Sequence, residues 1–248
     1  MTSKIVALWS IPRSVSTAFE KTFSQRPDTV IVHEPFTDSY YFSRERRSNR
    51  YGDHDELITY DGNQAITDIK GALPQNGTAS MVFFKDLAFQ AYHYLTDEFL
   101  GQTTNTFMIR HPAAVMASLL PLKPDFTEEE FGFMPLQEIW QRVTRLSTQD
   151  PIVVEGDRFR QFPEEVLRRY CDRIGVEFNQ DMLEWEDGRI RDWEPHEALS
   201  HAKWHKTLES SHGILPANPL PDIDIDSDHR EMFERAIAIY EKIAPYTL

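Results

Sequence analysis

What most constrains this chain is the stretch from Lys4 to Phe23, KIVALWSIPRSVSTAFEKTF. Ile5 to Trp9 form a short apolar, β-favouring run of the length a buried strand needs. Ser10 to Ser16 then break the pattern with a proline, hydroxyls and one cation, Arg13. From Thr17 onward, Ala18, Phe19, Thr22 and Phe23 recur at the spacing of one helical face. A strand, a hydroxyl-rich turn and a helix make half of an anion-binding βα unit. The first backbone N–H groups of such a helix point into the turn, and its dipole favours an anion there. Arg13 adds a planar fork of donors suited to phosphate or sulfate oxygens, and Ser14, Ser16 and Thr17 add hydroxyls. An ordinary Ser/Thr-capped helix would look the same on this stretch alone, so the rest of the chain decides.

The same logic finds further polar residues at the ends of apolar runs. Thr29 to Val32 are a second strand candidate, followed at once by His33, Glu34 and Pro35. Open α/β sheets hold their ligands at that edge, so Glu34 is a candidate general base. Ser80 to Phe84 are a third strand, followed by Lys85, a point cation for a phosphate or a developing negative charge. Thr104 to Ile109 are a fourth, followed by Arg110, His111 and Pro112, with Pro112 well placed to open a helix that carries Ser118. Arg110 and Ser118 could grip one anionic group between them. Two such units suggest a ligand with two separate anionic clusters. Ile152 to Val154 end a fifth strand candidate that begins at Pro151.

Other segments read more plainly. Residues 37–78 are an aromatic and charged insertion over the site, with no clean period. A helical stretch is expected from Leu87 to about Phe99. Pro121 to Pro135 read as a long acceptor-side loop, and Leu136 to Ser147 as a helix with Ile139, Trp140, Val143 and Leu146 on one face. Cys171 falls in the apolar stripe of a helix opened by Pro163, which makes it a small core residue and not a nucleophile. Residues 181–248 form a C-terminal extension, first rich in Trp, His, Arg and Lys, then a Pro-rich connector, then a terminal helix from Asp228 to Ala244. His201 and His205 stand four apart, but no HExxH accompanies them, and no metal site is expected.

Composition narrows the partners. With 40% apolar and 27% charged residues, the chain has the balance of a globular protein. A formal charge of −14 argues against broad binding to nucleic acid or anionic membranes. No apolar run approaches a membrane span, no leader is apparent, and a single cysteine suits a reducing cytoplasm. The order of elements predicts an α/β fold: a P-loop-like, mainly parallel sheet of about five strands with helices on both faces, in one domain over 1–248.

At this point the residues carry a resemblance. Pro12-Arg13-Ser14-Val15-Ser16-Thr17 together with Arg110-His111-Pro112 and Ser118 resemble the two nucleotide motifs of the sulfotransferase superfamily, in its bacterial and fungal PR-x-x-ST form. Glu34-Pro35, Phe84-Lys85 and Pro163 to Val176 fit the same layout, so the likeness runs over most of the chain. It implies a sulfuryl donor, PAPS (3′-phosphoadenosine 5′-phosphosulfate, leaving PAP), as co-substrate, a small-molecule hydroxyl acceptor, and no metal. Arg13, Ser14, Val15, Ser16 and Thr17 would hold the 5′-phosphosulfate, and Arg110 and Ser118 the 3′-phosphate. Lys85 would stand near the transferred group. Lys203 to Ser211, with Lys203 and Lys206 toward the nucleotide, is the only substitute for the family's C-terminal basic loop. Two departures stand out. Val15 occupies a position often glycine, and the histidine that cytosolic members carry two residues after the lysine is Leu87 here. The base therefore falls to Glu34, with His33 as the second candidate. A P-loop kinase is the rival reading, although Ser10 to Thr17 hold neither the glycines nor the lysine of a Walker motif. A nucleotide-binding homologue without transfer activity is the third.

Overall fold

The computed structural model describes residues 4–51, 60–72, 80–192, 204 and 206–248. Five strands, β1 (Lys4–Ser10), β2 (Thr29–His33), β3 (Met81–Leu87), β4 (Thr104–Ile109) and β5 (Ile152–Glu155), form one sheet in the order β2-β3-β1-β4-β5. Every pairing is parallel. Parallel neighbours need crossovers, and the crossovers here are largely helical, so both faces of the sheet are covered. All five carboxyl ends therefore share one edge, with β1 in the middle.

Alternation along the strands sorts the core into two layers. Ile5, Ala7 and Trp9 of β1 and Val82 and Phe84 of β3 face one side. There they meet α3 (Gly62–Gly71), α6 (Pro112–Leu119), α8 (Phe133–Leu146) and the terminal helix Ser227–Ile243. Val6, Leu8, Met81 and Phe83 face the other side, against α1 (Ser16–Ser24) and α10 (Pro163–Ile174). Phe23 of α1 stacks on Phe83 at 4.2 Å between ring centres, and Phe19 meets Tyr170 edge to face at 4.9 Å. These contacts seat α1 against β3 and α10.

The strands and most helices fall where the periodicity places them, and three boundaries differ. β3 runs on through Lys85 and Asp86 to Leu87, because strand β1 offers Leu8, Trp9 and Ser10 as ladder partners. Lys85 is thus a strand residue and not the first residue of a turn. The helix expected from Leu87 to Phe99 is two short ones, α4 (Ala88–Ala91) and α5 (Asp97–Gly101), because Thr96 caps a fresh start by accepting the Phe99 amide. The loop expected at 121–135 contains α7 (Glu128–Phe131), opened by a Thr127/Glu130 capping box. Gly132 at φ 88° ends α7 and begins α8, and a Cβ there would come within 2.8 Å of Pro12. The insertion at 37–78 contributes α2 (Thr37–Tyr41) and α3.

Candidate active site at the carboxyl edge of the sheet

The turn after β1 is held by its own side chains. Ser10 donates its hydroxyl to the Asp86 carbonyl (3.0 Å), and Ser14 donates to the Ile11 carbonyl (2.7 Å). Ser14 is fully buried, so its side chain builds the turn and does not face the cavity above it. Arg13 and Val15 take φ values of 60° and 74°. The conformation that glycine would adopt freely is therefore imposed on a β-branched residue, at a cost of about 1–3 kcal/mol. What the strain accomplishes is visible: no side chain caps α1, so its first amides stay available at the cavity.

Three guanidinium groups gather beside that helix end. Arg110, just beyond β4, clasps Asp157 with two bonds of 2.9 Å and donates a third to the Arg13 carbonyl (3.1 Å). Arg13 reaches Ser118 on α6 (2.9 Å) and the Trp204 carbonyl (3.1 Å). Arg160, on α9 (Gly156–Gln161), lies 3.7 Å from Asp157 and donates to the Leu215 carbonyl at 2.9 Å. Burial, and then repulsion from Arg110, push both Arg13 and Arg160 below the usual guanidinium range. Two guanidiniums on one carboxylate, with a third close by, make a site prepared for further negative charge.

The other end of the site grows from β2 and β3. Glu34 follows β2 with φ 44°, its amide donating to the Lys85 carbonyl (2.8 Å), and its carboxylate pairs directly with the Lys85 ammonium. Both side chains are almost fully buried, yet both line the cavity. Thr37 on α2 lies 3.5 Å from Glu34 Oε2 and 3.4 Å from Gln90. Asp86 is fully buried and accepts the amides of Phe36 (2.8 Å) and Leu87 (2.7 Å). Burial, with Glu34 adding to it, raises its carboxyl well above the ordinary range. Tyr41, Tyr51, Leu87 and Phe89 wall this end, and burial pushes both phenols above their ordinary range.

One cavity of about 540 Å³ joins the two ends. Arg13, Val15, Ser16, Thr17, Glu34, Lys85, Arg110 and Ser118 all line it. His33 stands behind it, 5% exposed, with Nδ1 toward Glu20 and not toward the opening. Lys203 lies outside the described residues, and Lys206 begins the short helix Lys206–Glu209. Among the described residues no three His, Cys, Asp or Glu side chains converge as a metal site would require, while His201 and His205 lie outside them. No helix among them is long and apolar enough to cross a membrane.

Sequence reasoning missed Arg160 and Asp157, although they follow β5 at the same edge that singled out Arg13 and Arg110. Applied to the fifth strand, the same positional rule would have found them. Glu20 and Trp204 carried no comparable signal.

Comparisons with known proteins bear on the fold and the family. The fold is shared with the sulfotransferase domain of the Synechococcus PCC 7002 olefin synthase at a TM-score of 0.53, with 17% identity and 94% of both chains covered. A sulfotransferase from Alicyclobacillus acidocaldarius matches at 0.51, with 13% identity over 98% of this chain and 97% of that one. Two Arabidopsis thaliana proteins, branched-chain-amino-acid aminotransferase-like proteins 1 and 2, are 26% and 27% identical over 96% of this chain. The chain spans 41% of the length of each. The family model described as "Sulfotransferase domain" matches residues 3–244, and the chain therefore belongs to the sulfotransferase domain family.

Proposed function

We propose that this chain transfers a sulfuryl group from PAPS to a hydroxyl of a small-molecule acceptor. One observation carries the reading. A single cavity has an uncapped helix end and three clustered guanidiniums at one end, and a Glu34–Lys85 pair with an aromatic wall at the other. The first end suits a doubly anionic nucleotide, and the second suits a neutral hydroxyl compound whose proton must leave.

In this reading Ser16, Thr17 and the α1 amides hold the 5′-phosphosulfate beside Arg13, while Arg110, Ser118 and Arg160 hold the 3′-phosphate. The acceptor oxygen attacks sulfur in line, the bond from sulfur to the bridging oxygen breaks, and the acceptor proton passes to Glu34. Lys85 and Arg13 take up the charge that develops on the departing phosphate, a task of positioning and electrostatics. While Lys85 is bound to Glu34, neither group is at full strength: the carboxylate is a weaker base, and the ammonium is already neutralised. Arrival of the anionic donor draws Lys85 away and frees both for their tasks.

Thermal unfolding with PAP, with ATP and with no ligand, each with and without magnesium, tests this. A selective, magnesium-independent rise with PAP is expected. A rise with ATP and magnesium alone would replace the reading by a kinase.

A further inference from the structure

Behind the cavity lies a second pair of ionisable groups, which the transfer reading does not use. Alternation puts His33 on the same face of β2 as Ile31, and Lys85 on the same face of β3 as Phe83. His33 and Lys85 are direct ladder partners. That face is covered by α1, whose Phe19 and Phe23 pack on Phe83, and Glu20 next to Phe19 points into the gap with no exposed surface. Glu20 Oε2 sits 2.6 Å from His33 Nδ1, and His33 Nε2 lies 3.9 Å from Glu34 Oε1. The second oxygen, Glu20 Oε1, is buried with no hydrogen-bond partner among the described residues.

We propose that Glu20 and His33 form a positioning pair that presents an imidazole N–H to Glu34, holding its carboxylate ionised and aimed into the cavity. The inference rests on the reading of Glu34 as the base. A bare carboxylate oxygen buried without a donor is costly, so the pair is best satisfied as a net-neutral unit. One proton is then shared between Glu20 Oε2 and His33 Nδ1, and another sits on Nε2, toward Glu34. Burial raises the Glu20 carboxyl well above its ordinary range, in keeping with that proton count.

The groups facing this unit explain why it is needed. Lys85 from β3 and Arg191 from the segment after α10 act on Glu20, while Asp86 from β3 and Thr37 from α2 act on Glu34. When Lys85 turns to the donor, the Asp86 and Glu20 carboxyls stay near Glu34 and favour its protonated form. An N–H from His33, 3.9 Å from Glu34 Oε1 and reached by a small rotation of the Glu34 side chain, opposes that push. Nothing passes into the cavity from His33 itself, which makes it a supporting residue and not a second base.

The experiment is a carbon-13 NMR titration of the Glu34 carboxyl, assigned with Glu34→Gln. It is run in Lys85→Met, which reproduces the moment after Lys85 has left, against Lys85→Met/His33→Phe. Loss of the N–H should raise the Glu34 midpoint by about one pH unit. Lys85→Met/His33→Gln, whose amide can donate in the same direction, should restore it. An unmoved midpoint, or no rescue, overturns the proposal. Nitrogen-15 spectra of the His33 ring in the wild type give a second test that needs no variant. A proton held on Nε2 through neutral pH is expected, and an unprotonated Nε2 there overturns the proposal. Neither measurement needs nucleotide or acceptor. Failure of the PAPS reading would instead appear as no stabilisation of the wild type by PAP, and failure of Glu34 as base as full turnover of Glu34→Gln.

Discussion

Two side chains bear most of the functional reading, and each makes a separable prediction. Arg110 has two duties, one toward Asp157 and the Arg13 carbonyl, the other toward the cavity. Arg110→Ala should weaken PAP binding by roughly 10- to 100-fold, the worth of one lost charge-assisted contact. Adenosine 5′-phosphosulfate, which lacks the 3′-phosphate, should lose far less. Equal losses in calorimetric titrations would remove the 3′-phosphate role. Glu34→Gln should lower transfer from PAPS to simple phenols or alcohols by about 10²-fold or more, with PAP affinity within a few-fold of the wild type. A fully active variant would discard Glu34 as the base. Strained φ values stand at Glu34 itself and at Arg13 and Val15, in the turn that Arg110 braces. They stand at the site because the surrounding sheet and turn hold them there.

At the scale of elements, the site depends on how closely β5 approaches the turn after β1. Gly156 opens α9 directly under that turn, and a Cβ on it would lie 2.4 Å from the Ser14 carbonyl oxygen. Backbone cannot yield as a flexible side chain would, so Gly156→Ala must push the turn or the start of α9 aside. The expected cost is about 1–3 kcal/mol of stability, together with weaker PAP binding, because Asp157 and Arg160 ride on the same helix. Urea unfolding and PAP titration of the variant measure the two effects, and a variant equal to the wild type in both would show that the contact is looser than described. The capping box at Thr127 works at the other end of the cavity in a similar way. It starts the helix that brings Glu130 to Arg50 (2.7 Å) and Lys123 (2.5 Å), beside the aromatic wall.

For the whole molecule, buried carboxyls give stability a definite dependence on pH. Burial raises Glu20 and Asp86 well above their ordinary values. A group raised in the fold contributes stability in full below its unfolded value, near 4. That contribution is lost as pH climbs toward the folded value, because the unfolded chain then holds fewer protons. Glu130 runs the other way: Arg50 and Lys123 outweigh the upward push of burial and hold it low. Its contribution is present above about pH 4 and lost only in acid. Urea unfolding between pH 5 and 8 should therefore show stability falling as pH rises, and Glu20→Gln should flatten that slope. An identical slope in the variant would mean that Glu20 titrates normally. PAP at about 100 times its dissociation constant should add roughly 2.7 kcal/mol across this range.

Much of this was legible in the chain because it depends on near neighbours. Strand and helix periods, the polar break after each apolar run, and Pro112 and Pro163 at helix starts are local signals. The rule that ligands collect at the carboxyl ends of parallel strands turned those breaks into candidates, and Arg13, Glu34, Lys85, Arg110 and Ser118 do line one cavity. What remained hidden rests on packing between distant segments. Ladder partners from β1 carried β3 past Lys85, and the ladder brought Lys85 beside His33. The seat of α1 on Phe83 put Glu20 against His33, which no spacing announces. The turn around Arg13 also consumed Ser14, whose hydroxyl satisfies a carbonyl of the turn itself. By itself the sequence determined the strands, most of the helices and the edge at which the polar residues gather, since these follow from local pattern and the geometry of parallel sheets. Only the tertiary structure decided which polar groups meet and which turn inward, because a buried donor or acceptor must find its partner wherever packing has placed one.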